Sequence, residues 1–254
     1  MQKFSKKDQH FVPRFYLKNF TYDGKYCYTK NKSGKINSQN IKEICKRRNI
    51  YEIKDKNNNI LNKNYAENTL AVLDEYFNTF LTNFIKYLNT LNNNDIICFT
   101  KDREKQALIL FFVITVLRNE KIINETQRIL KEEFNIFANQ QISKNKGIKN
   151  IFDLSPEWSN KLSKECAVII HRNITKKQFI TCDVPIHSMS FGNSHILYMP
   201  LTPKYFMILI PKFITGEMSD ILIENDHLDV NFFNSFFSYK MCEKVSISND
   251  ENNF

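Results

Sequence analysis

The hydrophobic period of this chain changes twice along its length, and this feature constrains the fold more than any other. Residues 1–64 and 173–254 carry short segments of alternating polarity between turn residues, which is typical of strands. Residues 65–172 instead place apolar residues three and four apart, which is typical of amphipathic helices. Because strands and helices are segregated along the chain, the sequence predicts an α+β fold in a single domain over residues 1–254.

Four helices are expected in the central region. The second of them is apolar nearly all round, which predicts a helix at the centre of the fold. The fourth begins with Ser155 as its N-cap, since Pro156 suits the first position of a helix. The four predicted helices cover residues 65–91, 101–118, 122–144 and 155–169.

Strands are expected on both sides of the helices. A β-hairpin is predicted over residues 25–39, and a short strand follows over residues 52–54. After the helices, three strands separated by proline-bearing turns are predicted, and a closing helix follows over residues 230–244. These three strands cover residues 178–182, 195–199 and 205–210.

The composition indicates a folded protein of a reducing compartment. Hydrophobic residues make up 42% of the chain, which is enough to build a large core. The six cysteines are widely spaced, so reduced buried thiols are favoured over a disulfide framework or a zinc site. The charged N-terminus lacks the apolar segment of a signal peptide, and no apolar run reaches the ~20 residues that span a bilayer. We therefore expect a cytoplasmic protein that does not enter a membrane.

The excess positive charge is confined to the first quarter of the chain. Residues 1–64 hold 16 Lys and Arg against 5 Asp and Glu, whereas the remaining residues hold 20 against 22. Cations interleaved with aromatic rings are typical of surfaces that bind single-stranded nucleic acid. An ordinary solvated face is the alternative. The candidate nucleic-acid-binding residues are Lys18, Lys42, Lys46, Arg47 and Arg48.

A group of chemically informative residues lies near the N-terminus, in the segment QHFVPRFYLKNF over residues 9–20. His10 and Arg14 are four residues apart, and Pro13 suits the first turn of a short helix that would hold them near one another. The buried side of that helix would consist of Phe15, Tyr16 and Phe20.

This segment resembles the opening signature of the DUF4238 family. The resemblance covers nearly the whole chain and implies a shared fold and a shared site, but no reaction, because the family has no established chemistry. The later positions that carry it are Ile44, Cys45, Asn49, Ile50, Tyr51, Glu67, Glu75, Arg118, residues 179–185 and residues 200–203.

Five residues are candidates for catalysis. An imidazole exchanges a proton near neutral pH, and arginine forks hold phosphates. If a metal is used, Asp183 together with the helix residue Glu75 would bind Mg²⁺ as the cofactor; metal-free chemistry is the alternative. Because Glu67 and Glu75 are about 12 Å apart along a helix, at most one of them joins Asp183. The five candidates are His10, Arg14, Glu75, Arg118 and Asp183.

Structural roles for the same residues remain open. Arg118 would then be a buried cation paired with one of the two glutamates. Asp183 would cap the turn that contains Pro185, and His10 would be a satisfied structural histidine.

Two functions are compatible with these features. The first is a nucleic-acid-directed hydrolase, such as a nuclease effector of a bacterial defence or toxin system, in which the arginines hold the scissile phosphate and His10 acts as general acid or base. The second is a non-catalytic module that recognises an anionic ligand or a protein partner through the same cluster. The sequence signatures of P-loop NTPases, serine hydrolases, zincins and zinc ribbons are absent.

Overall fold

A computed structural model describes residues 8–254 apart from 56, 58, 62–63, 100–101, 120–121, 124–139, 193, 217–218, 226–229 and 239–241. Strands precede a helical middle, and mainly antiparallel strands follow it. The predicted α+β class is therefore confirmed. No helix in the described part of the chain is both long and apolar enough to cross a membrane.

The N-terminal quarter is built from short strands and one short helix. Strand β1 pairs antiparallel with β4, and β2 with β3 form the predicted hairpin. Helix α1 follows Pro13, whose φ of −58° and ψ of 133° make it the N-cap rather than a first-turn residue. The elements are β1 (Asp8–His10), α1 (Arg14–Lys18), β2 (Tyr26–Asn31), β3 (Ile36–Asn40), β4 (Lys46–Arg48), β5 (Ile53–Lys54) and β6 (Ile60–Leu61).

The middle of the chain is helical, as its periodicity predicts. Helix α2 spans Tyr65–Leu88 and buries one face, while α3 spans Asp102–Leu117 and is buried over most of its surface. Of the predicted third helix, residues 124–139 lie outside the described part. Helix α4 spans Gln140–Asp153 and thus continues past the predicted end at residue 144.

The predicted fourth helix is wrong over its last four residues, 166–169. Helix α5 spans Ser155–Glu165, with Leu154 at the N-cap position that was predicted for Ser155. The chain then forms strand β7, Cys166–Asn173, which is almost entirely buried. β7 pairs with a neighbour on each edge, and a central strand of this kind carries a continuous apolar run instead of an alternating one. A short apolar run does not distinguish such a strand from a helix.

Two sheets complete the fold. The five-stranded sheet has the order β12-β7-β11-β10-β9, and the four-stranded sheet β3-β2-β13-β8 joins both ends of the chain. The predicted closing helix, residues 230–244, is too long: α7 (Val230–Phe236) ends eight residues earlier, and β13 (Val245–Ser248) lies between β2 and β8. The remaining elements are β8 (Thr181–Cys182), β9 (His187–Phe191), β10 (Ser194–Pro200), β11 (Tyr205–Pro211), α6 (Lys212–Thr215), β12 (Ile221–Asn225), α7 (Val230–Phe236) and β13 (Val245–Ser248).

One buried cluster links all three regions of the chain and positions the N-terminal segment. Tyr16 is fully buried, its ring packs near Phe111 of α3, and its hydroxyl bonds Thr181 at 2.7 Å and the carbonyl of Pro200 at 2.7 Å. All six cysteines are free and only Cys98 is exposed, in agreement with the expectation of reduced thiols. The C-terminal end of α3 lies next to both β1 and the turn after β8, because Arg118 bonds the carbonyl of His10 and Asn119 bonds the carbonyl of Asp183.

Candidate functional site

Strand β1 holds the N-terminal signature firmly in the fold. Gln9 is buried, and its side-chain carbonyl accepts the main-chain N–H of Tyr51 at 2.9 Å. One residue beyond the strand, the N–H of Phe11 donates to the carbonyl of Cys45 at 3.0 Å. The hydrogen bonds of Gln9 and Phe11 therefore fix the main chain on both sides of His10.

Arg118 lies immediately after α3 and is 2% exposed. Its Nη1 contacts Oδ1 of Asp74 at 2.7 Å, its Nη2 donates to the main-chain carbonyl of His10 at 2.7 Å, and its Nε donates to the hydroxyl of Tyr51 at 3.4 Å. Burial lowers the pKa of Arg118, but the charges and hydrogen bonds of Asp74 and Tyr51 together outweigh burial and raise that pKa above its ordinary value. The guanidinium is thus charged and engaged. We call Asp74, Tyr51, Arg118 and the carbonyl of His10 the Arg118 cluster.

The carboxylate that pairs with Arg118 is the neighbour of the one predicted from the sequence. Glu75 is exposed on α2, whereas Asp74 is the ion-pair partner. Asp74 lies four residues after Leu70 and three before Phe77, which are both buried, so the helical period itself places residue 74 at the edge of the buried face. The expected ion pair of a buried Arg118 is therefore present, but its partner is Asp74 and not Glu67 or Glu75.

The His10 side chain has surroundings different from those of its carbonyl. The half-buried imidazole donates a hydrogen bond to the carbonyl of Ile41, while its Nε2 is buried without a hydrogen-bond partner in the described part of the chain. Burial, followed by the charge of Arg14, lowers the pKa of His10 to about 4. The ring is therefore neutral at pH 7. Arg14, four residues later, is the exposed first residue of α1. We call the His10 imidazole and Arg14 the His10 edge.

Asp183 follows β8 and is 2% exposed. Its Oδ1 accepts the N–H of Glu243 at 3.1 Å, and its own N–H donates to the carbonyl of Val245 at 3.2 Å. Burial raises the pKa of Asp183 to about 6, although main-chain amides of residues 243–245 oppose the rise. Asn119, next to Arg118, donates to the Asp183 carbonyl at 3.2 Å. Consecutive residues after α3 thus connect β1 with the Asp183 turn.

The predicted nucleic-acid-binding residues lie mainly on the surface. Lys46 is the partly buried member, and its Nζ contacts Asp8 at 3.3 Å and Glu43 at 2.8 Å. The exposed members are Lys18, Lys42, Arg47 and Arg48. Since β4 pairs with β1, Arg47 and Lys46 lie opposite Gln9 and His10 in register. A basic surface therefore borders the His10 edge.

The predicted metal ligands have different surroundings. Glu75 is exposed on α2, whereas Asp183 is buried against the main chain before β13. Among the described residues, no group of three or more His, Cys, Asp or Glu could hold a metal ion. The Mg²⁺ site stays a prediction from the sequence.

A family model described as "Protein of unknown function (DUF4238)" matches residues 8–252. The chain belongs to the DUF4238 family. No curated protein and no solved structure matches it. In this DUF4238 chain, the residues that sequence reasoning left without a role are Tyr51, Asp74 and Asn119, which hold Arg118 or the Asp183 turn. Polar residues directly after a largely apolar helix are the signal that points to Asn119.

Proposed function

We propose that the protein is a nucleic-acid-directed hydrolase in which His10 acts as the general base. The observation that carries the proposal is the His10 edge: a neutral imidazole whose Nε2 has no hydrogen-bond partner in the described part of the chain, close enough to Arg14 for that cation to lower its pKa. A general base must be unprotonated and able to reach a proton. His10 meets the first condition at pH 7, and the second requires that substrate binding uncover Nε2, which is buried in the free protein.

The reaction is phosphodiester hydrolysis or transfer. Nε2 takes the proton of an attacking hydroxyl group, either water or the substrate's own 2′-hydroxyl, whose oxygen forms a bond to phosphorus. The bond from phosphorus to the leaving oxygen breaks, and that oxygen takes a proton from the imidazolium or from water. Arg14 holds the phosphate by its two-point fork.

The neighbouring cations support nucleic acid as the substrate. Lys42, Arg47 and Arg48 are exposed beside the strand pair that carries His10, so a phosphate backbone has several cations along its path. Arg118 is excluded from phosphate binding because Asp74 and the His10 carbonyl occupy its fork. A role as an effector of bacterial defence or as a toxin is the biological setting that this activity suits.

Cleavage of labelled single-stranded RNA, single-stranded DNA and duplex DNA tests the proposal, with Mg²⁺ or with EDTA. We expect His10→Gln to keep binding and to lower turnover by about 10²–10⁴, the usual contribution of a general base. Arg14→Ala should weaken substrate binding and should also lower turnover. His195→Gln and Arg103→Ala are matched controls, because both residues are exposed away from β1. Wild-type rates in the His10→Gln variant would overturn the proposal, and the EDTA arm decides the role of a metal.

The second candidate is a non-catalytic module that binds an anionic ligand or a protein partner. It is favoured by the engagement of Arg118 and Asp183, which have structural partners. A binding module predicts affinity without turnover, and loss of that affinity in Arg14→Ala. Salt dependence then separates partners: a slope of log affinity against log salt near −0.7 per contacted phosphate indicates a single strand.

A further inference from the structure

A pocket of about 310 Å³ lies beside Asn119, the residue that follows Arg118. It is formed by the second half of α3, by α5, by Leu197 of β10 and by the segment that leads from the Asp183 turn into β9, and it is partly open to solvent. Its most prominent apolar and aromatic walls are Phe112, Val116, Trp158, Leu162 and Ile186. No Asp, Glu, Lys or Arg is among the described residues that line it.

The polar groups of the pocket are few and are held in place. Asn119 donates its amide to the Asp183 carbonyl at 3.2 Å. The His187 ring packs edge-on against Phe237 at 4.8 Å and stacks on Tyr198 at 6.3 Å, with its Nε2 3.8 Å from Sγ of Cys182. A mostly apolar cavity with a small number of fixed polar groups is the usual form of a small-molecule site.

The volume of the pocket and the absence of charged side chains among its described lining residues indicate which class of ligand it suits. An engineered apolar cavity of about 150 Å³ holds one benzene molecule, so roughly twice that volume suits two fused rings. A charged ligand would lose its hydration without an opposite charge to replace it, which is unfavourable. We propose that this pocket binds an uncharged two-ring aromatic molecule with one hydrogen-bonding group, which Asn119 or His187 orients.

The only tryptophan of the chain, Trp158, lines the pocket and reports on its occupancy. The experiment titrates the full chain with 2-naphthol and, separately, with 2-naphthoate, which keeps the rings and adds a charge. Trp158 fluorescence and calorimetry follow both titrations. We expect saturable one-to-one binding of 2-naphthol, and binding of 2-naphthoate that is at least about tenfold weaker, equivalent to ~1.4 kcal/mol.

Two variants fill the pocket from different helices, so the result does not depend on the folding of one protein. Val116→Phe on α3 and Leu162→Phe on α5 should each weaken 2-naphthol binding at least about tenfold. Val72→Phe is the matched control, because Val72 is 70% exposed on α2. His10→Gln should bind 2-naphthol normally, which separates this site from the proposed catalytic one. The absence of saturable binding, or equal binding by both filled variants and wild type, would overturn the proposal.

Discussion

Arg118 and Arg14 both act on His10, but their surroundings are opposite. Arg118 is buried, bound to Asp74 and engaged with the His10 carbonyl, so it holds the backbone in place. Arg14 is exposed, and its charge lowers the pKa of the His10 ring. The comparison shows two environments at one residue: the main-chain carbonyl of His10 belongs to the Arg118 cluster, and its ring, whose Nε2 has no hydrogen-bond partner among the described residues, belongs to the His10 edge.

The largest expected effect tests the structural half of this comparison. Asp74→Ala leaves the Arg118 guanidinium buried without its counter-charge, which should lower the free energy of unfolding by about 3–5 kcal/mol. Urea denaturation followed by circular dichroism measures it. Glu75→Ala is the matched control: it removes an exposed carboxylate one residue away, so a change within about 0.5 kcal/mol is expected. Similar losses in both variants would contradict the assignment of Asp74.

An intermediate effect is expected at Asp183, on the far side of Asn119. Asp183→Ala leaves the N–H of Glu243 without its acceptor, which should cost about 1–3 kcal/mol of unfolding free energy. Asp183→Asn retains an acceptor oxygen and should lose less. The same denaturation series measures both variants. A loss of activity in Asp183→Asn with unchanged stability would instead assign Asp183 to catalysis.

A smaller effect is the pH dependence that His10 adds to stability. Its pKa is about 4 in the folded protein and near 6.5 when unfolded, so between these values the unfolded chain binds more protons. Stability should therefore fall as pH decreases from about 6.5 to about 4, and the slope that His10 contributes should fade as pH rises above about 6.5. Thermal unfolding of wild type and His10→Gln checks this. His171 also has a lowered pKa, so only the difference between the two proteins reports on His10. Identical slopes would contradict the lowered pKa.

The smallest effect on stability is expected for the other arginine. Arg14→Ala removes an exposed side chain, so the free energy of unfolding should change by less than about 0.5 kcal/mol. The same variant should weaken nucleic-acid binding, as measured by fluorescence anisotropy. A large loss of stability would remove the contrast with Arg118.

The sequence predicts best those elements in which the helical hydrophobic pattern continues over many residues. Helices α2 and α3 begin and end within three residues of their predicted limits, since many apolar positions define each face. The errors fall on short apolar runs: residues 166–169 belong to a buried strand because they pair with β11, and long-range pairing is not encoded locally.

The candidate site is predictable by residue type but not by partner. His10 and Arg118 follow from their chemistry and place, whereas the choice of Asp74 over Glu75 depends on a rotation of about 100° around α2. Asn119 and Tyr51 act through main-chain contacts, which a single sequence does not show. For the same reason the sequence alone does not show that the fork of Arg118 is occupied.

The most direct test of the central claim is a titration of the His10 ring by nitrogen-15 and proton NMR, with His10→Gln to assign its signals. Our account predicts that the ring titrates near pH 4 and, at pH 7, is neutral with its proton on Nδ1 and a lone pair on Nε2. A ring that titrates at or above its ordinary pKa of about 6.5 would contradict the buried environment that we describe for His10. A neutral ring that carries its proton on Nε2 would contradict a role of Nε2 as general base.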